Sequence, residues 1–381
     1  MSINLRLHEN WFFGSFFNNV KNEIGIGIIG TGFARRVQIP AFLSCDGVRI
    51  ASIASGSLEN AQNAAAEFGI GHFSDDWRET VSHPNVDLVC ITTPPNLHRE
   101  MALFAIEKGK HILCEKPMAM NVREAADMAL AAESKPILAL IDHELRFQPG
   151  RKIAHKMLRD GAIGMVRHAK ATFQAPHRGD ATLPWNWWSD KSAGGGALGA
   201  INSHIIDSFN WFLDAPVESL FCQLQSHIKE RRVASGEMRP VTTDDEANML
   251  LRFADGDLTM NTTGLVSVSM VEQPNYRNSL EFYGTLGALR VDHRGDVFVA
   301  TGGDTDWREV DVNLGEFTLG GQDTGFARGF AAFAPNIVAA IREERPVVEC
   351  AATFADGLEV QRVLDAARES DLTGRRVHIA R

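Results

Sequence analysis

The chain has 381 residues and a formal net charge of −10. This length allows two domains, and the acidic balance argues against a nucleic-acid partner, because a phosphate backbone is bound by a basic surface. No apolar run reaches the ~20 residues that span a bilayer, so no membrane partner is expected. The five cysteines are scattered without metal-ligand spacing, which favours reduced core thiols, no metal site and a cytoplasmic location.

Residues 1–22 precede the first predicted strand and are rich in aromatic side chains: Trp11, Phe12, Phe13, Phe16 and Phe17. The segment has neither a basic start nor a continuous apolar stretch, so it does not fit a signal peptide. We interpret it as an arm that packs on a neighbouring surface or subunit, with a disordered or wrongly assigned start as the alternative.

A short apolar strand at the start of residues 24–34 leads into a glycine turn and a helix-compatible stretch. Gly30 permits a tight turn, Gly32 lets the backbone approach a pyrophosphate, and the N–H groups of the next helix favour an anion. The third glycine of the usual motif is replaced by Arg35, so the motif needs support from its surroundings. We expect a dinucleotide to contact Gly30, Gly32, Phe33, Ala34 and Arg35.

The elements that follow supply this support. Further buried strands are predicted at residues 48–54, 86–92, 111–114 and 136–141. Helices are predicted between them, for example at residues 58–68 and 97–108. Alternating strands and helices form a doubly wound sheet, so the fold class is α/β and residues 23–145 are predicted to form a Rossmann dinucleotide-binding domain.

From Arg146 onward the pattern changes to strands with one apolar face. Residues 249–253 and 258–262 alternate on either side of Asp255-Gly256, which predicts a hairpin. Aromatic and aliphatic residues at helical spacing between positions 326 and 341 predict a long helix with a core-facing stripe. Residues 146–381 are therefore expected to form an α+β domain with a large open, mostly antiparallel sheet.

The first cluster of chemical interest follows the strand at residues 86–92, at the sheet edge where open α/β proteins bind ligands. Its prolines end the strand, and the backbone can then follow the edge of a cofactor. Expected cofactor contacts here are Thr93, Pro94, Asn96 and His98. A histidine at the start of a helix more often caps or packs, and that alternative stays open for His98.

The second cluster, Glu115 and Lys116, follows the strand at residues 111–114. An ammonium group at this edge points into the crevice, where it can polarise or hydrogen-bond a substrate oxygen. A solvated surface lysine is the alternative.

The third cluster lies in the second domain, where a glycine-rich stretch leads into Asn202 and His204. Asp207 lies three residues beyond His204 and could orient it as an acid or base, although such a histidine is more often structural. Upstream, Trp185 and Trp187 could stack on sugar C–H groups, or pack in the core.

In their order and spacing these motifs resemble the glucose-fructose oxidoreductase and inositol dehydrogenase family, from about Glu23 to the end of the chain. The resemblance implies a two-domain NAD(P)-dependent oxidoreductase that acts on a sugar, polyol or related small molecule. Lys116 and His204 match the catalytic lysine and histidine of the family. The family commonly has an aspartate four residues before that histidine, where this chain has Ala200, and Asn202 replaces a usual glycine.

The resemblance also implies that the open sheet forms a homodimer or homotetramer interface, and that Lys116, Arg146, Trp185, Trp187, Asn202 and His204 contact the substrate. Glu115 and Lys116 are expected to contact the cofactor as well. Hydride transfer between a carbinol carbon and the nicotinamide is the expected reaction. The alternatives are a non-catalytic dinucleotide-binding regulator, or a glycosidase or lyase that recycles its cofactor through transient oxidation.

The second strand ends in Ser55 and Gly56 without a carboxylate. Proteins that prefer NAD commonly place an acidic residue there to bind the ribose hydroxyls. The small residues leave room for a 2′-phosphate, which Arg35 or Arg36 could neutralise. The sequence therefore predicts NADP(H) over NAD(H), with Ser55 and Gly56 among the cofactor contacts.

Overall fold

A computed structural model of the protein describes residues 23–320 and 322–380. The predicted N-terminal arm, residues 1–22, lies outside the described residues. Two large sheets organise the rest. The first has six parallel strands in the order β3-β2-β1-β4-β5-β6: β1 Ile24–Ile29, β2 Val48–Ala54, β3 Phe73–Ser74, β4 Leu88–Ile91, β5 His111–Cys114 and β6 Ala139–Ile141.

Helices cover both faces of the first sheet, which explains why its strands are apolar along their length. The first helical segment begins with a π-helical turn, Ala34–Gln38. The α-helices that follow are α1 Ile39–Leu43, α2 Leu58–Phe68, α3 Trp77–Ser82, α4 His98–Glu107 and α5 Val122–Glu133. This parallel sheet between helices confirms the predicted Rossmann fold.

The second sheet has nine strands in the order β16-β15-β14-β13-β7-β12-β11-β8-β17. Its neighbours are antiparallel except β7 and β12, so the predicted open, mostly antiparallel sheet is confirmed. The strands are β7 Val166–Gln174, β8 Val217–Gln225, β11 Glu246–Phe253, β12 Thr259–Ser269, β13 Arg277–Gly284, β14 Gly287–Asp292, β15 Val297–Thr301, β16 Arg308–Val310 and β17 Val377–His378, with β9 Glu230–Arg232 and β10 Met238–Pro240 as a separate pair.

Four further helices join the two sheets: α6 Pro149–Arg159, α7 Ser203–Leu213, α8 Gly325–Arg342 and α9 Phe354–Thr373. The aromatic stripe of α8 is buried as predicted, but the core that it joins is mainly that of the first sheet. Phe330, for example, makes an edge-to-face contact with Phe42 of α1 at a centroid distance of 5.4 Å. A helix from late in the chain thus completes the dinucleotide-binding half, and the exact domain boundary at residue 145 stays a prediction.

One face of the second sheet packs on α7 and α9, and the other carries exposed apolar side chains. Leu250 on β11 pairs in register with Phe221 on β8 and with Leu265 on β12. These three side chains, 57, 38 and 38 % exposed respectively, form the outer apolar row. Among the described residues no helix is long and apolar enough to cross a membrane.

Candidate active site

The glycine turn after β1 has the geometry that the sequence predicts. Gly30 has a φ of +101°, and a Cβ there would lie 2.6 Å from the carbonyl oxygen of Thr92, so no side chain fits. A Cβ on Gly32 would instead face open space, with nothing within 4 Å. The turn therefore leaves room for a ligand at the point where strand order reverses between β1 and β4, which suits the pyrophosphate of a dinucleotide.

The other expected cofactor residues of the first helix differ in exposure. Ala34 is fully buried, and Phe33 makes an edge-to-face contact with Phe330 of α8, so both side chains point into the core. Arg35 is exposed and forms an ion pair with Glu67 at the end of α2. Such exposed pairs are worth about 0–1 kcal/mol, so Arg35 is available to a stronger partner.

Two more loops border the same crevice at the carboxyl ends of β2 and β4. Ser55 and Gly56 directly follow β2, and a Cβ on Gly56 would meet no atom within 4 Å. Thr93 and Pro94 follow β4, and Asn96 is exposed on the short turn beyond them.

His98 is buried between two loops and contacts the backbone of both. Its ring is fully buried, with Nε2 2.8 Å from the carbonyl oxygen of Thr93 and Nδ1 3.1 Å from that of Pro117. Both nitrogens are therefore engaged in joining the loops after β4 and β5. The contacts support the packing alternative rather than the expected cofactor contact.

Lys116 lies at the end of β5, in a loop that reaches the second domain. Its Nζ donates a hydrogen bond to the carbonyl oxygen of Ala200 at 3.2 Å. Ala200 belongs to a π-helical turn, Leu198–Asn202, that leads directly into α7 and His204. Such turns are rare and often occur at functional sites.

His204 is buried at the same junction, only 4 % exposed. Its ring lies 5.0 Å from that of Phe326 at the start of α8 and 5.5 Å from that of His143. Burial lowers the pKa of His204 well below its usual value, and the charge of Lys116 lowers it further. His204 is therefore a neutral imidazole at neutral pH, which can accept a proton.

The carboxyl group nearest to His204 is that of Glu144, not that of Asp207. Glu144 Oε2 lies 4.0 Å from His204 Nδ1. Asp207 instead forms a bidentate pair with Arg146, at 2.9 and 2.5 Å. Asp207 therefore does not orient His204, because its carboxylate is held by the guanidinium.

The same pair engages Arg146, which the resemblance implies as a substrate contact. Arg146 is 5 % exposed, and its Nη2 also donates to Asp356 of α9 at 3.0 Å. Burial by itself would lower the pKa of Arg146, but the two carboxylates outweigh it and raise that pKa. The guanidinium thus joins α7 and α9 through two carboxylates, and its contact with a substrate stays a prediction.

A buried carboxyl cluster lies behind Lys116. Gln38 donates through Nε2 to Asp142 at 2.8 Å and to Glu115 at 3.2 Å. One oxygen of Glu115 thus joins this cluster, and its expected contact with the cofactor stays a prediction. Burial raises the pKa of Asp142 well above its usual value, and Glu144 and Glu115 raise it further. Burial also raises the pKa of Glu144 to about 8. Of these carboxyl groups, Glu144 is therefore mainly protonated at neutral pH.

The sequence reasoning missed Gln38, Asp142, His143 and Glu144. The last three directly follow β6 and lie at the same sheet edge as Lys116. A polar Asp-His-Glu run after a buried parallel strand was the available signal. Burial lowers the pKa of His143 to about 4, so it is neutral beside the cluster.

The remaining expected substrate residues, two tryptophans and Asn202, differ in exposure and in hydrogen bonding. Trp185 donates through Nε1 to the carbonyl oxygen of Pro240 and lies under the Arg239 guanidinium, so it packs on the β9–β10 pair. Trp187 is 36 % exposed. Asn202 is fully buried, and its amide nitrogen and oxygen have no hydrogen-bond partner among the described residues.

The site combines the open glycine turn after β1 with a crevice where strand order reverses. A lysine and a histidine from distant segments lie beside it. These features define the class of dinucleotide-dependent oxidoreductases. The comparisons agree with this class. Residues 24–143 match the oxidoreductase family with an NAD-binding Rossmann fold, and residues 152–290 match the GFO/IDH/MocA C-terminal domain. The chain belongs to the GFO/IDH/MocA family of oxidoreductases.

Individual relatives support the same assignment. Levoglucosan dehydrogenase of Pseudarthrobacter phenanthrenivorans is 31 % identical over 310 residues, which cover 74 % of this chain and 77 % of the relative. A 1,5-anhydro-D-fructose reductase of Ensifer adhaerens is 30 % identical over 61 % of this chain and 69 % of its own. A levoglucosan dehydrogenase structure with NADH and levoglucosan has a TM-score of 0.84 at 29 % identity, and the match covers 94 % of this chain and all of that one. The prediction of a nicotinamide-dependent oxidoreductase is thereby confirmed.

Proposed function

We propose that this protein transfers hydride between a nicotinamide dinucleotide and a CH–OH carbon of a sugar, anhydro-sugar or polyol, with Lys116 and His204 at the reacting oxygen. The observation that carries the proposal is the hydrogen bond from Lys116 Nζ to Ala200, four residues before His204. It brings an ammonium group and a neutral imidazole together beside the crevice that suits the cofactor.

The two side chains have complementary tasks in this mechanism. In the oxidation direction Lys116 donates a hydrogen bond to the carbinol oxygen, and His204 accepts the hydroxyl proton. In the reduction direction the same pair donates the proton. The nicotinamide, when bound, supplies or accepts the hydride, and the protein holds the reactants in position.

The substrate class is supported by the site and by the relatives. Asn202, two residues before His204, offers an amide that has no hydrogen-bond partner among the described residues. Trp187 offers an exposed ring of the kind that stacks on sugar C–H groups. Relatives named for levoglucosan and 1,5-anhydro-D-fructose point to anhydro-sugars as the first compounds to test.

We further propose that NADP(H) is bound more tightly than NAD(H). Ser55 and Gly56 directly follow β2 in place of a carboxylate, and a Cβ on Gly56 would meet open space. A 2′-phosphate there could draw Arg35 from its exposed pair with Glu67 and recruit Arg36. Fluorescence titration with NADPH and NADH tests this, and markedly tighter NADH binding would overturn it.

The outer apolar row supports a homodimer or homotetramer. Three exposed apolar side chains in register, Phe221, Leu250 and Leu265, cover the middle of an open sheet. Burying such a row against a second copy removes apolar surface from water.

A panel of anhydro-sugars, aldoses and polyols, followed by nicotinamide absorbance, tests the activity. Lys116→Ala should lower turnover about 10²–10⁴-fold on the active substrate while dinucleotide affinity is nearly unchanged. Lys135→Ala, a change of the same kind at an exposed position, is the control. Unchanged turnover in Lys116→Ala would show that the site assignment is wrong. Net accumulation of reduced cofactor separates a dehydrogenase from a lyase that recycles it.

A further inference from the structure

Glu144 and His204 present two buried polar atoms to each other without another partner. Glu144 Oε2 and His204 Nδ1 are 4.0 Å apart. Neither atom has a hydrogen-bond partner among the residues that the structure describes. Unpaired buried polar atoms are costly, so two that face each other indicate a contact that closes during function.

The backbone around Glu144 holds it at this place. It lies on a short helical turn, Glu144–Phe147, directly after β6 and Asp142-His143. Helix α8 lies against it, because a Cβ on Gly329 would be 2.6 Å from the Glu144 carbonyl oxygen. A closure of roughly 1 Å, within reach of side-chain rotation, would bring the two atoms to hydrogen-bond distance. Catalytic hydrogen bonds are often long before the substrate binds.

We propose that Glu144 is the positioning residue of His204, and that its carboxyl group determines which ring nitrogen carries the imidazole proton. The inference rests on the proposed function, in which His204 handles the substrate proton. Position 200, one turn before His204, carries only a methyl group, so the carboxyl partner comes from the other side of the ring.

The protonation state of Glu144 decides the tautomer. A protonated Glu144 donates its O–H to Nδ1, so the neutral imidazole carries its proton on Nε2. When Nε2 gives this proton to a substrate oxygen, the Glu144 proton passes to Nδ1, so the ring stays neutral and Glu144 is left ionised. An ionised Glu144 accepts a hydrogen bond from Nδ1–H, so Nε2 has a free lone pair. In the oxidation direction the carbinol O–H then breaks, its proton joins Nε2, and the hydrogen on carbon leaves with its electron pair as the hydride of the family's reaction.

The charges around the pair place this change in an accessible pH range. Burial and the neighbouring Glu115 raise the pKa of Glu144 to about 8, while Lys116 and Arg151 act in the opposite direction. The pKa of Asp142, on the same segment, is also raised. Lys116, His143 and Arg151 act electrostatically on His204 and lower its pKa. Helix α8 contributes Phe326, which carries no charge, to the His204 surroundings. The oxidation rate should therefore rise through about pH 8, and the reduction rate should fall.

Kinetics of the holoenzyme test the inference on the substrate that the panel identifies. Glu144→Gln should lower the oxidation kcat at alkaline pH by on the order of 10²-fold and remove the inflection near pH 8, with little change in KM. Glu144→Asp keeps a titrating carboxyl group and should keep an inflection at a shifted midpoint. Glu343→Gln makes the same chemical change at an exposed position at the end of α8 and should behave as the wild type.

A second readout needs no turnover. In protein labelled with ¹⁵N-histidine, the His204 resonances are those missing from His204→Ala, and their shifts report which nitrogen is protonated. The wild type should change tautomer across pH 7–9, bracketing the Glu144 pKa of about 8, whereas Glu144→Gln should not. A wild-type tautomer profile in Glu144→Gln, or an unmoved midpoint in Glu144→Asp, would overturn the inference. If His204→Ala and Lys116→Ala retain full turnover, the proposed function fails instead.

Discussion

Replacing Arg146 tests whether it is structural, as its contacts indicate, or binds the substrate. Arg146→Met keeps most of the side-chain volume but removes three hydrogen bonds, two to Asp207 and one to Asp356. Asp207 is 2 % exposed, and among the described residues its nearest remaining ion-pair partner would be His143 Nε2, 3.9 Å away. Removing one partner of a buried ion pair costs about 3–5 kcal/mol, because the other charge stays desolvated.

The expected loss is large enough to measure by thermal unfolding. At roughly 2–4 °C per kcal/mol for a domain of this size, Arg146→Met should lower the melting temperature by roughly 6–20 °C. Asp356→Asn should cost less, about 1 kcal/mol, because that carboxylate is 35 % exposed. The double variant Arg146→Met/Asp207→Leu should recover part of the loss, because the carboxylate that remains, Asp356, is 35 % exposed and hydrated.

A different outcome would refute this reasoning. If Arg146→Met melts within about 2 °C of the wild type, less than 1 kcal/mol would be assigned to the pair. A rise in KM for the sugar without loss of stability would restore the substrate contact that the sequence suggested. Circular dichroism melts and steady-state kinetics on the same preparation separate the two results.

Three further predictions concern the cofactor, the assembly and the histidine. Gly32→Val should leave the melting temperature unchanged, because the new side chain meets open space. It should weaken NADH binding more than 10-fold, or about 1.4 kcal/mol. Gly71→Val, also in open space, is the control, and equal NADH affinities of the two variants would contradict a pyrophosphate site at Gly32. If the proposed homo-oligomer forms through the outer apolar row, Leu250→Arg should give a monomer in light scattering, whereas Leu130→Arg on α5 should leave the mass unchanged. A Leu250→Arg variant with the mass of the wild type would exclude the outer apolar row as the interface. Ala200→Asp should raise the pKa of His204, because a carboxylate one turn away stabilises the imidazolium. The pH optimum of the reduction should therefore move upward. An unchanged pH optimum would argue against His204 as the proton donor.

The local patterns of the sequence determined the fold class and the position of the crevice. Apolar runs such as residues 48–54 became strands with the predicted bounds, and helix 58–68 begins and ends as predicted between Ser57 and Gly69. Gly30 and Lys116 could be selected because each directly follows a buried parallel strand. These signals are local, since strand and helix periodicity and turn residues act within a few positions of the chain.

Only the tertiary structure decided which side chains meet. Asp207 lies three residues from His204 and was the expected partner, but Arg146 holds it, and Glu144, 60 positions upstream, faces the ring instead. Helix α8 was expected to form a core of the second domain, yet it completes that of the first sheet. Contacts between distant segments depend on how helices and sheets pack, which no local pattern encodes. The alternation of β11 predicted one buried face, but only the register with β8 and β12 placed Leu250 beside Phe221 and Leu265 on the exposed one.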